Sequence, residues 1–96
     1  MRFIYKERYL KRFDRFPTGE QALILEADQQ IRAFYTSRQA PTGLGIKLLH
    51  RSGADKVFEA RASRGIRIVW AEQEEVVSFV LLGLHDEVQR YLRSLH

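Results

Sequence analysis

The chain contains no cysteine. That excludes disulfides, thiolate nucleophiles and cysteine-ligated zinc together, and it fits a reducing compartment. Proline is scarce, with only Pro17 and Pro41 to interrupt helices. Long apolar runs are missing too. The most apolar stretch, Phe79 to Leu84, is broken by Gly83 and falls far short of the roughly 20 residues that a membrane span needs. The N-terminus turns charged at Lys6, Glu7, Arg8, Lys11 and Arg12 with no apolar signal core. A cytoplasmic protein without a membrane partner is therefore expected. The histidines, His50, His85 and His96, are scattered, and no carboxylate–histidine spacing suggests a metal site, so no metal or other cofactor is expected. There is no internal repeat, low-complexity segment or interdomain linker. Residues 1–96 are expected to form one domain.

What is present is enough apolar material to fold, 45% of residues with 11% aromatic, and an uneven distribution of charge. The formal net charge is +4. Arg2, Lys6, Arg8, Lys11, Arg12 and Arg15 crowd residues 2–15 against Glu7 and Asp14. Lys47, Arg51, Lys56, Arg61, Arg64 and Arg67 crowd residues 47–67 against Asp55 and Glu59. Residues 68–87 hold no lysine or arginine, but do hold Glu72, Glu74, Glu75, Asp86 and Glu87. Such segregation suits a nucleic acid or an acidic protein partner, with a solvated charged surface as the plainer alternative.

Periodicity sets the elements. Phe3–Tyr5 is a short strand. Tyr9, Phe13 and Phe16 line one face of a helix from Glu7 to Phe16, which Pro17 ends. Thr18 and Gln21 have capping-box spacing before a second helix that runs to about Ser37, with Leu23 or Ile24, Ala27, Ile31 and Phe34 as its apolar face. Pro41, Gly43 and Gly45 mark a loop over 38–45. Ile46–Leu49 reads as a strand or extended arm. Three strands follow at Val57–Arg61, Ile66–Trp70 and Val76–Leu82, joined by short turns at Ala62–Gly65 and Glu72–Glu75 as an antiparallel meander. A last helix over Asp86–Leu95 follows. The order βααβββα predicts an α+β domain, a small antiparallel sheet with helices packed on one face.

Within the strand Ile66-Arg67-Ile68-Val69-Trp70, alternation puts Ile66, Ile68 and Trp70 on one face and Arg67 with Val69 on the other. An arginine in so apolar a strand suits a phosphate. Its fork of donors meets phosphate oxygens in two places and keeps its charge. A solvent-facing Arg67 paired with Glu59 is the structural alternative. His85, at a helix start just beyond the next strand, exchanges protons near neutral pH, and serves equally as a plain helix-start residue. Spacing alone puts Tyr91 in the core, between Val88 and Leu95.

These residues resemble the RelE/ParE superfamily of bacterial toxins from toxin–antitoxin operons. The features that carry the resemblance are the basic strand ending in Arg61, the tight turn with Gly65, and the strand Ile66–Trp70, which resembles the family's tyrosine–arginine–leucine–valine–tyrosine strand. Gly83-Leu84-His85-Asp86 and Tyr91 complete it, over about residues 44–93. The RelE-like fold is thereby implied. In the members that cleave messenger RNA on the ribosome, a mid-strand arginine steadies the scissile phosphate. An arginine or histidine near the end of the last strand acts as acid or phosphate contact, and a C-terminal tyrosine activates the ribose or stacks on a base. These roles fall on Arg67, His85 and Tyr91. Where those members carry two lysines, this chain has Val57 and Glu59, and Glu59 takes the place of a base. Arg61, Arg64, Lys47, Arg51 and Lys56 are the RNA-backbone contacts expected from charge. The resemblance further implies an acidic antitoxin as partner in a hetero-oligomer. Two alternatives remain open: a non-catalytic ParE-like toxin that inhibits a protein such as DNA gyrase, and a simple nucleic-acid-binding module.

Overall fold

A computed structural model describes residues 1–39 and 42–95, so Pro41 and His96 lie outside the described residues. The elements are β1 (Arg2–Tyr5), α1 (Glu7–Asp14), α2 (Thr18–Ser37), a single 3₁₀ turn (Thr42–Leu44), β2 (Lys47–Ser52), β3 (Asp55–Arg61), β4 (Ile66–Gln73), β5 (Val76–Leu84) and α3 (His85–Arg93). The five strands form one sheet in the order β1-β5-β4-β3-β2. β3, β4 and β5 pair antiparallel, as expected for the meander, β2 extends them antiparallel beside β3, and β1 adds in parallel beside β5. The segment read as a strand or arm is the edge strand β2, whose pairing with β3 slips by a bulge between Leu48 and His50. No helix among the described residues is long and apolar enough to cross a membrane. The α+β class is the one expected, with the sheet mixed rather than purely antiparallel because β1 joins β5 in parallel.

α1 and α2 form a hairpin laid on one face of the sheet. The buried apolar side chains of α2 are Ile24, Ala27, Ile31 and Tyr35, which recur every three or four residues as a core-facing helix requires. Ile24 rather than Leu23 takes the first inward position, and Leu23 is exposed. They pack on Ala60, Ile66, Ile68, Trp70, Val77, Phe79 and Leu82. Trp70, fully buried, donates its indole N–H to Tyr35 Oη at 2.7 Å, and Tyr5 stacks on Phe79 with ring centroids 4.7 Å apart. The capping box expected at Thr18 and Gln21 does not form. Pro17 holds the cap position, so Thr18 is already helical, and Gln21 donates its side-chain amide to the Phe13 carbonyl at 2.9 Å. That bond ties α2 to the end of α1.

The other face of β4 and β5 is covered by α3. Val88 is fully buried against Val57, Val69 and Leu81, with Tyr91, Leu92 and Leu95 packed around them. A branched aliphatic side chain buried this fully stabilises by roughly 2 kcal/mol. Central strands covered on both faces explain why Val76–Leu82 reads as almost continuously apolar.

Candidate functional site

Arg67 lies on β4, the middle strand of the five, and on the α3 face. Its cross-strand neighbours are Arg61 on β3 and Gly83 on β5. It makes no ion pair with Glu59 or with any other described residue, and its Nη1 is buried without a hydrogen-bond partner among them. A buried donor left unpaired costs about 1–3 kcal/mol, and like charges directly opposite on a sheet add to that cost. The strand holds the arginine at a local expense in stability.

Glu59 faces Val69, which places it on the same side as Arg67 and diagonal to it; such diagonal neighbours lie about 7–8 Å apart. Lys47 is opposite Glu59 at the sheet edge. His85 is exposed at the first turn of α3. The pairing of Ile66 with Leu84 sets it at the same end of the sheet as the Ala62–Gly65 turn, where Arg64 is exposed. Tyr91 is half-buried on α3, with the Arg8 guanidinium 5.7 Å from its ring centre. Burial raises its phenol pKa, and Arg8 partly opposes that rise.

The basic residues divide. Arg61 is exposed, and its side chain runs within 3.8 Å of where a Cβ on Gly45 would stand, beside α2 residues Ala27 and Gln30. Its guanidinium end thus lies near the residues of α2 and the 3₁₀ turn. Arg51 pairs with Lys56 across β2 and β3. Strand alternation puts Lys56 on the same side as Phe58 and Ala60, the α1–α2 face, so this pair stands apart from Arg67. The structure thus brings Arg67, Glu59, Lys47 and Tyr91 to one face, sets His85 and Arg64 at its end, and leaves Arg51 and Lys56 elsewhere.

One hollow was not foreseen. A groove of about 640 Å³ runs between α1 and α3, lined by Arg8, Lys11, Arg12, Arg15, Arg90 and Tyr91 over Leu81 and Leu82, with Glu87 beside them. Glu87 closes one end: its Oε1 accepts from Arg12 Nη2 at 2.8 Å and from the Leu84 N–H at 3.1 Å. Arg12 holds the Glu87 carboxyl below the usual carboxylate range, the Leu84 N–H adds to that, and burial opposes both. Only a glycine at position 83 allows this, because a Cβ there would stand 2.8 Å from the Glu87 carboxylate. The signal available in the sequence was the run Arg8, Lys11, Arg12 and Arg15, whose spacing puts them along neighbouring rows of one helix. Among the described residues, no three of His, Asp and Glu converge to hold a metal ion.

No family model matches this sequence, and no curated protein matches it. Solved structures do. A chain of the archaeal RelE–RelB complex from Pyrococcus horikoshii OT3 superposes with a TM-score of 0.69 at 15% identity, covering 86% of this chain and 92% of that one. YafQ from Escherichia coli superposes with a TM-score of 0.63 at 10% identity, over 92% of this chain and 98% of that one. A YoeB/ParE toxin from Agrobacterium tumefaciens superposes with a TM-score of 0.61 at 12% identity, over 88% and 99%. Identities this low carry the architecture and nothing finer, and that architecture is the RelE/ParE toxin fold.

Proposed function

We propose that this chain is the toxin of a toxin–antitoxin pair, that it cuts messenger RNA on the ribosome, and that an acidic antitoxin silences it. The observation that carries the reading is Arg67, whose buried Nη1 has no partner among the described residues although it sits on the middle strand of the sheet. The fold supports it, being shared with structures that include a RelE–RelB complex and a DinJ–YafQ complex.

In this reading the ribose 2′-oxygen attacks the adjacent phosphorus, the bond from phosphorus to the 5′-oxygen breaks, and a 2′,3′-cyclic phosphate and a 5′-hydroxyl result. Arg67 offsets the charge that grows on the phosphate oxygens, a role worth about 3 kcal/mol or a hundredfold in rate. Glu59, diagonal to Arg67, takes the 2′-proton. His85 gives a proton to the departing 5′-oxygen. Tyr91, with its phenol pKa raised by burial, stays protonated and acts as a stacking surface or donor rather than as the base. Lys47 and Arg64 hold flanking backbone. The test is the purified chain with translating ribosomes. Discrete messenger cuts with cyclic-phosphate ends are expected, and Arg67→Ala reduces them at least a hundredfold. Equal cutting by the variant removes the mechanism.

One observation favours a second reading, a non-catalytic toxin that inhibits a protein such as DNA gyrase. Val57 is buried in the α3-side core and Glu59 is acidic, at the strand positions where RNA-cleaving relatives carry lysines. Inhibition of DNA supercoiling that survives His85→Ala, with no messenger cuts, selects it.

A further inference from the structure

The groove between α1 and α3 has no role in the reading above except through Tyr91, which forms part of its wall and also packs on the sheet face that bears Arg67. It gathers five cations, Arg8, Lys11, Arg12, Arg15 and Arg90, from two elements far apart in sequence, against the single carboxylate of Glu87. Glu87 engages Arg12, and Lys11 has an exposed partner in Glu7 at 2.9 Å; Arg8, Arg15 and Arg90 join no ion pair among the described residues. On α1 the cations from Arg8 to Arg15 extend over about 10 Å, at 1.5 Å of rise per residue.

The floor indicates which polyanion fits. Leu81 and Leu82 are 6% and 0% exposed, so the apolar part of the groove comes from Tyr91 and the aliphatic stems of its cations, whose charged heads rim it, rather than from its base. A helix of a protein partner docks by laying an apolar face into an apolar groove, and here it would find guanidiniums instead. Single-stranded nucleic acid asks for cations along a channel and an aromatic face for a base. The groove supplies both, the aromatic being Tyr91. Arg8 lies over that ring at 5.7 Å, as a cation that holds an aromatic in place.

We propose that the α1–α3 groove binds the backbone of single-stranded RNA beside the segment held at Arg67, with Arg8, Lys11, Arg15 and Arg90 as phosphate contacts and Tyr91 joining the two surfaces. This rests on RNA being the substrate, but it is a claim about binding and can be separated from cleavage.

The probe is a short fluorescein-labelled oligouridylate with 2′-O-methyl groups, which presents phosphates and bases but no attacking hydroxyl. Its binding is followed by fluorescence anisotropy as salt is raised. Each phosphate contact on a single strand contributes about 0.7 to the slope of log affinity against log salt. The combined variant Lys11→Ala, Arg15→Ala, Arg90→Ala is therefore expected to lower the slope by about 2 and weaken binding at 0.1 M salt by about a hundredfold. Arg12 is left intact because it holds Glu87. The charge-keeping variant Lys11→Arg, Arg15→Lys, Arg90→Lys retains the slope, and Arg2→Ala on β1 leaves it unchanged. Thermal melts establish that each variant is folded. An unchanged slope in the folded triple-alanine variant overturns the proposal. So does a variant that keeps RNA binding but escapes neutralisation by an acidic antitoxin, because the groove is then a protein-docking surface. If the wild-type chain cuts no messenger while the triple variant loses the oligouridylate, the cleavage reading fails and the groove assignment stands.

Discussion

The contact between Gly83 and Glu87 makes a double-substitution cycle informative. Replacing Gly83 by Ala inserts a methyl group 2.8 Å from Glu87 Oε2 and 2.9 Å from its Cδ, closer than atoms pack. The carboxylate is the end of a flexible side chain, so it swings out rather than forcing β5 to move. It then loses two partners, Arg12 at 2.8 Å and the Leu84 N–H at 3.1 Å. With Arg12 and Glu87 each 27% exposed, solvent screens their pair, which is worth about 0.5–1 kcal/mol. The bond to the helix-start N–H adds about 1 kcal/mol. Against this, Ala narrows the unfolded ensemble relative to Gly and recovers about 0.4–1 kcal/mol. Gly83→Ala alone should thus destabilise by about 1 kcal/mol, a fall in Tm of about 4–8 °C for a domain of this size. In a Glu87→Ala background there is no carboxylate to displace, and the same change should be neutral or stabilising by about 0.5 kcal/mol. Urea unfolding of the four proteins measures the coupling, expected at about 1.5 kcal/mol. Strictly additive effects would refute the reasoning, since they would mean that Glu87 is not held against Gly83.

Other outcomes follow from groups that are paired or orphaned. Arg67→Ala should leave stability unchanged or raise it by up to about 1 kcal/mol, because it removes an unpaired buried donor; a large loss in thermal melts would make Arg67 a structural residue. Tyr35→Phe leaves the buried Trp70 indole N–H without its acceptor and should cost about 1–3 kcal/mol. Tyr9→Phe, which removes a buried hydroxyl with no partner among the described residues, should be neutral or stabilising in the same urea assay. For pH, the folded pKa of Glu87 lies below its unfolded value. Its contribution is therefore present above about pH 4.5 and lost as pH falls through the folded value, so acid should destabilise the wild type more than Glu87→Gln. At the alkaline end, burial raises the pKa values of Tyr5, Tyr9 and Tyr35 above the ordinary phenol range. The unfolded chain then releases protons that the folded one keeps, and Tm should fall as pH rises beyond about 10.

Much of the fold was legible because local periodicity and burial agree. Ile66, Ile68 and Trp70 alternate on β4 and are all buried on the α1–α2 face, so the placement of Arg67 on the opposite face followed from the spacing alone. What escaped was set by contacts remote in sequence or by local competition. Pro17 took the cap position that Thr18 appeared suited to, because its ring fixes the backbone angle one residue earlier. The bulge in β2 is a register event between two strands, invisible in either alone. The basic groove depends on Arg12 meeting Glu87 across 75 positions, a distance at which no spacing rule speaks. The run of cations on α1 was visible, but its partner wall on α3 was not.

The edge strand has a consequence for how the molecule behaves in a crowd. A sheet that ends in a flat, apolar strand invites other chains to extend it. Here the outer strand is six residues long, kinked after Leu48, and presents Lys47 and Arg51 to solvent. Two copies approaching rim to rim would meet a bend and matching positive charge, so this border resists stacking into fibrils.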